Sequence, residues 1–360
     1  MRIVIKVGTQ AILAPDGTLL KSVLSALVKQ IVQLQQDGHH VALVSSGAVG
    51  SGRRVARERL NRAYGSSIGE KQVLASLGQP ELMHAYATML EPHGMAAAQL
   101  LLTRQDFQTR QHYLNIARLL REILGQKNII PIINENDSVA IEELMFTDND
   151  ELSGLIAAQM NADKLIILTG VRGVYDGPPD HPDSKLIPVI DPQQKNLPEI
   201  SATKSAQGRG GMLSKLGTAR KMSDLGITTH IAGIEEKDAV LRIVGGEQLG
   251  TVILPAKKKS NIKKWIAFSA GMQSGVIHIN APLLDILKKN ERVISILPVG
   301  ISKCSGDFRR GDLIEIAAPD GRKIGIGIAR YGAEKLHEYL GLKGKPEFIH
   351  YDHLHLDIGA

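Results

Sequence analysis

Apolar and polar positions follow two different spacings along the first 255 residues. Short runs that are apolar on both faces predict buried strands at Ile3–Val7, Val41–Val44, Ala96–Leu102, Ile129–Ile133, Leu165–Leu168 and Thr228–Ala232. Between them, apolar residues recur at helical spacing and predict helices over Leu20–Gln36, Glu70–Leu90, Gln111–Leu124, Leu152–Asn161 and Met212–Leu225. Such strands, joined by helices, favour a parallel sheet covered on both sides, and so an α/β/α domain.

The pattern changes after Pro255. A polar, basic stretch comes first, and beyond Trp265 the chain has short strand-like runs separated by Gly, Asp and Asn. These runs are Gly275–Ile279, Arg292–Leu297, Asp312–Ile316 and Lys323–Ala329. They predict a small β-rich domain of barrel type. We therefore divide the chain into a domain of residues 1–255, a basic linker of residues 256–272 and a second domain of residues 273–360.

The net charge of +6 lies entirely in the C-terminal part, because residues 256–360 carry 17 Lys/Arg and 11 Asp/Glu. A solvated lysine-rich linker explains this excess, and so does a nucleic-acid partner, whose phosphates bind Lys and Arg. The aromatic residues of this part show no RNP-like pattern. The sequence therefore favours a role in assembly or regulation over RNA binding.

Cysteine content and hydropathy exclude several classes of protein. Cys304 is the only cysteine, so there is no intramolecular disulfide and no Cys-based zinc site. Lys6 interrupts the N-terminal apolar run before a signal peptide could form, and no apolar run approaches the ~20 residues of a membrane span. We expect a cytoplasmic protein.

Four unusual segments follow predicted strands or open predicted helices, at residues 6–9, 45–52, 134–138 (with 147–150 close behind) and 208–215. In parallel sheets, ligands bind at the carboxyl ends of the strands. Two of the segments are glycine-rich and suit a phosphate, although glycine-rich turns also occur without ligands. Neither matches a Walker A loop or a G-x-G-x-x-G fingerprint.

The acidic segment favours a nucleotide-borne Mg²⁺ over calcium. If Asp148 took position one of a calcium loop, Leu152 would stand at position five, where an oxygen ligand is required. The other interpretation of the acidic segment is a solvated turn. The other interpretation of Lys6 is a lysine at the end of a strand whose ammonium group reaches solvent. None of the four segments contains His or Cys. The missing base favours an acceptor that is already ionised, such as a carboxylate with a pKa of ~4.3.

Taken together, these motifs resemble the glutamate 5-kinase family of the amino acid kinase superfamily. In order and spacing the resemblance rests on Val4-Ile-Lys-Val-Gly-Thr, Val44-Ser-Ser-Gly-Ala, Ile133-Asn-Glu-Asn-Asp, Asp148-Asn-Asp and Gly210-Gly-Met-Leu-Ser-Lys. It continues beyond residue 255, where Lys263-Lys-Trp-Ile and Gly306-Asp-Phe-Arg-Arg-Gly-Asp resemble the family's linker and its C-terminal PUA domain.

The resemblance implies a role for each matching residue. Lys6 and Lys215 would contact the transferring phosphoryl group, and Asp150 would hold these two lysines. The substrate-binding positions would be Ser46, Asn134, Asp137, Asp148 and Asn149, and the nucleotide-binding positions Lys6, Gly8, Thr169, Gly170, Arg209, Gly210, Gly211, Met212, Leu213, Ser214 and Lys215. Gly170 and Arg209 depart from the Asp and Thr usual in the family, which affects the nucleotide contacts.

The implied activity is ATP-dependent phosphorylation of the γ-carboxylate of L-glutamate, the first step of proline biosynthesis, with Mg²⁺ carried by ATP. The resemblance also implies inhibition by proline, a homo-oligomer and channelling to glutamate 5-semialdehyde dehydrogenase. The alternatives are an acetylglutamate, aspartate or UMP kinase of the same superfamily, or an RNA-binding protein acting through the PUA domain. The histidines His350, His353 and His355 suit a polar terminal strand better than a metal site.

Overall fold

The structure is a computed structural model and describes residues 1–107, 110–139, 148–192, 211–256, 273–289 and 294–356. The chain forms two compact units, one of residues 1–104 with 117–258 and one of residues 105–116 with 259–360. Two sheets organise the chain, one of eight strands and one of five.

The eight-stranded sheet is parallel except for one pair. Its strands are β1 (Arg2–Val7), β2 (His40–Ser45), β3 (Ala96–Leu102), β4 (Ile129–Glu135), β5 (Lys164–Thr169), β6 (Val189–Ile190), β7 (Thr228–Gly233) and β8 (Thr251–Ile253). Their order is β3-β4-β2-β1-β5-β7-β8-β6, and within the described residues only β7 and β8 pair antiparallel. The α/β prediction is confirmed. Strand β1 lies in the interior of the sheet between β2 and β5, which positions the end of β1 for a site.

Helices connect these strands. They are α1 (Thr9–Ile12), α2 (Lys21–Gln36), α3 (Ala48–Leu60), α4 (Ile68–Leu90), α5 (Arg110–Leu124), α6 (Asn149–Met160), α7 (Met212–Asp224) and α8 (Ala239–Val244). Helix α4 begins at a capping box, in which the Ser67 side chain accepts from the Glu70 backbone and the Glu70 carboxylate accepts from the Ser67 backbone. The boundaries of α2, α4, α5, α6 and α7 lie within a few residues of the predicted ones, whereas α1 and α3 had no predicted range. Strands β6 and β8 and helix α8 escaped prediction because two to six residues are too few to show a period.

Helices α3 and α4 pack closer together than side chains would allow. A Cβ atom on Gly52 would lie 1.8 Å from the carbonyl oxygen of Leu74, and one on Gly78 would lie 1.9 Å from that of Ala48. Because both glycines lack this atom, the two backbones touch. The contact fixes α4 against the start of α3.

The elements around the second sheet are β9 (Gly275–Ile279), α9 (Ala281–Lys289), β10 (Ile301–Ser305), β11 (Leu313–Ala317), β12 (Lys323–Ile328), α10 (Ala333–Tyr339) and β13 (Leu354–Leu356). The strand order of this sheet is β10-β9-β11-β12-β13. The prediction of a small β-rich domain is confirmed. The Cys304 side chain is buried in its core, with Sγ 3.3 Å from Nε2 of His337.

The predicted strand Arg292–Leu297 is wrong in its described part. Residues 294–297 contain only an isolated bridge from Ile296 to Ile349, and residues 290–293 lie outside the described residues. Pro298 follows at once and opens a short 3-10 turn, and a proline donates no ladder hydrogen bond. The linker predicted for residues 256–272 lies outside the described residues apart from Ala256.

His353 and His355 belong to different elements, since Tyr351–His353 is a 3-10 turn and only His355 lies in β13. In the described parts of the chain, no three His, Cys, Asp or Glu side chains are arranged to hold a metal ion. No described helix combines the length and the apolar character needed to cross a membrane.

Candidate active site

A cavity of about 470 Å³ opens at the carboxyl ends of β1, β2 and β4. Its lining combines ammonium, carboxylate, amide and hydroxyl groups with glycine backbone. The lining residues that carry the argument are Lys6, Ser46, Lys71, Asn134, Asp137 and Lys215. This is the sheet edge at which the four unusual sequence segments were expected to meet.

Two lysines share one carboxylate beside the cavity. Nζ of Lys6 lies 2.6 Å from Oδ1 of Asp150, and Nζ of Lys215 lies 3.0 Å from Oδ2 of the same residue. Asp150 is fully buried, while Lys6 and Lys215 are 4% and 8% exposed. Lys6 is the penultimate residue of β1, Asp150 lies in the first turn of α6 and Lys215 in the first turn of α7. Three separate elements thus bring one negative and two positive charges together.

The charge state of this cluster follows from its contacts. Burial by itself raises the pKa of Asp150, but the ammonium groups of Lys6 and Lys215 outweigh it and leave the pKa below its usual value. Asp150 is therefore ionised at neutral pH. Two ammonium groups thus share this one buried carboxylate, and both lysines line the cavity.

Asp148 begins helix α6 and so positions Asp150. Its Oδ1 accepts hydrogen bonds from the backbone nitrogens of Asp150 and Glu151, at 2.9 and 3.1 Å, which caps the helix. Burial and the neighbouring Asp150 raise the pKa of Asp148, and a hydrogen bond from Ser214 opposes the rise. The Asp148-Asn-Asp motif thus supplies a cap, a cavity-lining amide and a buried carboxylate in successive residues.

An amide chain forms another wall of the cavity. Nδ2 of Asn149 donates to Oγ of Ser46 at 2.8 Å and to Oδ1 of Asn134 at 2.9 Å. Nδ2 of Asn134 in turn donates to Oε1 of Gln79 at 2.9 Å. Asn134 is buried, and the two asparagines fix each other's orientation. Polar groups held in this way are preorganised for a ligand.

Two helices start at the site with glycine instead of a capping side chain. Helix α3 follows Gly47, whose φ of 114° lies in the left-handed region, and helix α7 follows Gly211. The first-turn N–H groups of α3 and α7 receive no cap from these residues, in contrast to α6 with Asp148. Such helix starts are suited to an anion.

The structure brings most of the predicted site residues together. Of the predicted set, the described residues that line the cavity are Lys6, Gly8, Ser46, Asn134, Asp137, Asp148, Asn149 and Lys215, with Asp150 behind the lysines. Thr169 ends β5 at the same sheet edge and Gly170 follows it, whereas Gly211, Met212, Leu213 and Ser214 cap and open α7. These six are not among the cavity's lining residues. Arg209 and Gly210 lie outside the described residues.

Sequence reasoning missed two residues of α4. Lys71 lines the cavity, and Gln79 holds Asn134. Both occupy a helix that was predicted, but a lysine and a glutamine on a helix look like solvent-facing positions. The one usable sign was Gly78 inside a helical pattern, because a glycine there indicates close packing.

Both parts of the chain match known protein families. Residues 1–233 match the amino acid kinase family, and residues 275–346 match the PUA domain. A glutamate 5-kinase of Chlorobaculum tepidum is 46% identical over 356 residues, which are 99% of this chain and 97% of that protein. A glutamate 5-kinase of Bacteroides thetaiotaomicron is 40% identical over 359 residues, 99% of this chain and 98% of that protein.

The chain therefore belongs to the amino acid kinase family, and a PUA domain follows its kinase domain. It is an enzyme of the kinase class, and its similarity to the curated glutamate 5-kinases extends over nearly its whole length.

Proposed function

We propose that this protein transfers the γ-phosphoryl group of ATP to the γ-carboxylate of L-glutamate, which yields L-glutamyl 5-phosphate. The observation that carries the proposal is the buried trio of Lys6, Asp150 and Lys215 beside a cavity lined with amide and carboxylate groups. The curated relatives supply the substrate by analogy, since those named above are glutamate 5-kinases.

The trio supports the phosphoryl half of the reaction. Phosphoryl transfer needs positioned positive charge where the equatorial oxygens of the transferring group gather negative charge. Lys6 and Lys215 offer two ammonium groups, and Asp150 keeps both from moving by ion pairs of 2.6 and 3.0 Å. Asp150 acts through the lysines and is a positioning residue.

The polar residues that line the cavity support the binding of the amino acid substrate. The α-ammonium of glutamate requires acceptors, which the Asp137 carboxylate and the Asn149 carbonyl offer. The α-carboxylate requires donors, which the Ser46 hydroxyl and the Lys71 ammonium offer. The α-ammonium and the α-carboxylate of an amino acid thus both find complementary groups in one cavity.

The chemical step needs no general base. A γ-carboxylate oxygen attacks the γ-phosphorus of ATP, the bond from that phosphorus to the β,γ-bridging oxygen breaks, and ADP leaves with the electron pair. The attacking carboxylate is ionised at neutral pH, so no proton has to be removed. This agrees with the cavity lining, in which the described residues include no His or Cys.

ATP and its Mg²⁺ fit the donor groups that are present. The starts of α3 and α7, which have no capping side chain, and the ammonium groups of Lys6 and Lys215 favour a polyphosphate. Gly8 adds room, because a Cβ atom there would lie 3.4 Å from Nζ of Lys6. When bound, Mg²⁺ would neutralise phosphate charge. It prefers carboxylate oxygens as protein ligands, and Asp148, which lines the cavity, would supply one.

The finer assignments carry over from the resemblance as part of the same proposal. Proline shares the α-amino and α-carboxylate groups of glutamate, so we propose that it inhibits by occupying the subsite of Asp137. We also propose a homo-oligomer and delivery of the product to glutamate 5-semialdehyde dehydrogenase, in the pathway to proline. Residues 1–255 would be the catalytic domain and residues 273–360 the PUA domain with its extension.

The test is ATP-dependent formation of an acyl phosphate, trapped as the hydroxamate. Glutamate, N-acetylglutamate, aspartate and UMP are supplied one at a time to the full chain. We expect hydroxamate from glutamate and none above background from N-acetylglutamate or aspartate, and no ADP release with UMP. A preference for any of the other three would overturn the substrate assignment while leaving the kinase class intact.

A further inference from the structure

Gln79 occupies a buried position behind the amide wall. It is 8% exposed, and its Oε1 accepts the hydrogen bond that Nδ2 of Asn134 donates, at 2.9 Å. Gln79 does not line the 470 Å³ cavity and does not touch Lys6, Asp150 or Lys215 in any hydrogen bond of the described residues. Among the described residues, its hydrogen bond to the site is the one that it accepts from Asn134.

Gln79 supplies the acceptor that matches the orientation of the Asn134 amide. The backbone N–H of Glu135 can only donate, so Oδ1 of Asn134 faces it at 2.9 Å and also accepts from Nδ2 of Asn149 at 2.9 Å. Nδ2 of Asn134 therefore faces Gln79, whose Oε1 accepts from it at 2.9 Å. Without an acceptor at position 79, this donor of the buried Asn134 would lose its hydrogen bond.

The orientation is passed on to Asn149. Its Nδ2 uses its two hydrogens for Asn134 and for Oγ of Ser46, at 2.9 and 2.8 Å. The Oδ1 atom of Asn149 is consequently turned away from both, and it is buried without a hydrogen bond from any described residue. The Ser46 hydroxyl, which accepts from Asn149, retains its own hydrogen for donation.

We propose that Gln79 is a positioning residue for the amino acid subsite. By accepting from Asn134, it holds the chain of Asn134, Asn149 and Ser46 in the orientation that leaves the Asn149 carbonyl without a donor among the described residues and the Ser46 hydroxyl with its hydrogen available. A buried acceptor without a partner costs free energy until a donor arrives, which favours a ligand with an ammonium group beside a carboxylate. This inference rests on the proposed function, because it assigns that ligand as glutamate.

The helix that carries Gln79 is held in place independently. Gly78 lies against the Ala48 carbonyl oxygen, and the Tyr86 hydroxyl on the same helix is 2.8 Å from Oγ of Ser45. Ser45 directly precedes Ser46. Helix α4 therefore contacts the ends of both β2 and β4, and these contacts fix the position of Gln79 relative to Asn134.

The experiment compares Gln79→Met with Gln79→Glu in the full chain. Methionine keeps the volume but has no acceptor of comparable strength, whereas glutamate keeps a carboxylate oxygen for Nδ2 of Asn134. For Gln79→Met we expect roughly a tenfold rise in the KM for glutamate with the KM for ATP unchanged. For Gln79→Glu we expect a glutamate KM within about threefold of wild type. Gln33→Met, on the exposed side of α2, is the matched control.

The α-amino group provides a second measurement. Glutarate lacks this group, so its turnover does not depend on the Asn149 acceptor, and Gln79→Met should lower the preference for glutamate over glutarate roughly tenfold. A merely structural role would weaken glutamate, glutarate and ATP alike and lower the melting temperature.

The outcomes separate this inference from the function on which it rests. Unchanged glutamate kinetics in Gln79→Met, equal losses with both substrates, or a Gln79→Glu variant as impaired as Gln79→Met would each overturn the role of Gln79. A wild-type protein that does not phosphorylate glutamate would instead overturn the proposed function.

Discussion

The ammonium nitrogen of Lys6 lies 2.6 Å from a carboxylate oxygen of Asp150 that is fully buried, and the other oxygen of that carboxylate is 3.0 Å from Lys215. Buried carboxylates are stable as ions only when cations face them. Here the cations are also the groups that face the cavity. The same ion pairs that make the buried charge tolerable also hold the two lysines at the cavity.

Removal of either lysine should affect the transition state more than substrate binding. We expect Lys215→Ala and Lys6→Ala each to lower kcat by roughly 10²–10³ with little change in the KM for glutamate. Arginine should restore only part of the rate, because a planar guanidinium cannot replace a point charge here. Steady-state kinetics of the hydroxamate assay measure this, with Lys29→Ala on the exposed side of α2 as the control. A Lys215→Ala enzyme with near-normal turnover would contradict the mechanism.

Asp137 should act on ground-state binding. Its carboxylate lines the cavity and is proposed to face the α-ammonium, so Asp137→Asn should raise the KM for glutamate far more than it lowers kcat. The same variant should lose sensitivity to proline, which carries the same ammonium group. If the KM for ATP rises in its place, Asp137 belongs to the nucleotide subsite, and unchanged proline inhibition would indicate a separate proline site.

Lys71 is proposed to meet the α-carboxylate of the substrate. Lys71→Met should raise the KM for glutamate roughly 10- to 100-fold, the range expected for loss of a charge-assisted hydrogen bond. Lys71→Arg should retain part of the affinity because it keeps the charge. A Lys71→Met enzyme that loses kcat at constant KM would assign this lysine to the phosphoryl group.

His230 should make stability depend on pH. It is buried on β7, with Nε2 3.4 Å from Nζ of Lys164, and burial together with that ammonium lowers its pKa to about 4. Between pH 6.5 and 4 the unfolded chain binds a proton at this position that the folded chain does not. The free energy of unfolding therefore falls as the pH drops through this range.

We expect His230 to account for a loss of about 2 kcal/mol between pH 7 and pH 5. Urea unfolding of wild type and His230→Gln at both pH values measures the difference, with His84→Gln on the exposed face of α4 as the control. Equal pH dependence in wild type and His230→Gln would show that this histidine is not the group responsible.

The proposed domain division can be tested by truncation. The trio and the amide chain lie between Lys6 and Lys215, and none of their residues comes from the second sheet. We expect a chain ending near Lys258 to fold and to keep at least part of its glutamate kinase activity. Circular dichroism, kcat, proline response and sedimentation are compared with those of the full chain. A folded but inactive truncated chain would show that the boundary does not delimit the catalytic part.

The interior parallel strands were predictable because they are buried on both faces and therefore read as apolar runs. Val41–Val44 and Leu165–Leu168 are of this kind, and the structure adds one residue at each end of both. The ends of such strands then located Lys6, Asn134 and the acidic segment at one edge.

The residues of α4 could not be found in this way. Whether Lys71 and Gln79 face solvent or the site depends on how closely α4 approaches α3, and that distance is set by Gly52 and Gly78, which meet only in the folded chain. Helical periodicity shows which residues share a face of a helix. It does not show what that face meets.

The central place of β1 in its sheet has a consequence for folding. Strand β1 lies far before its partner β5, which begins only at Lys164, and Asp150 and Lys215 are likewise distant from Lys6 along the chain. Contacts between such distant parts of a chain form slowly, because a long loop must close before they are gained. During synthesis, the ammonium of Lys6 therefore remains without its buried counter-ion until Asp150 has been made, and the trio can be completed only after Lys215 has followed.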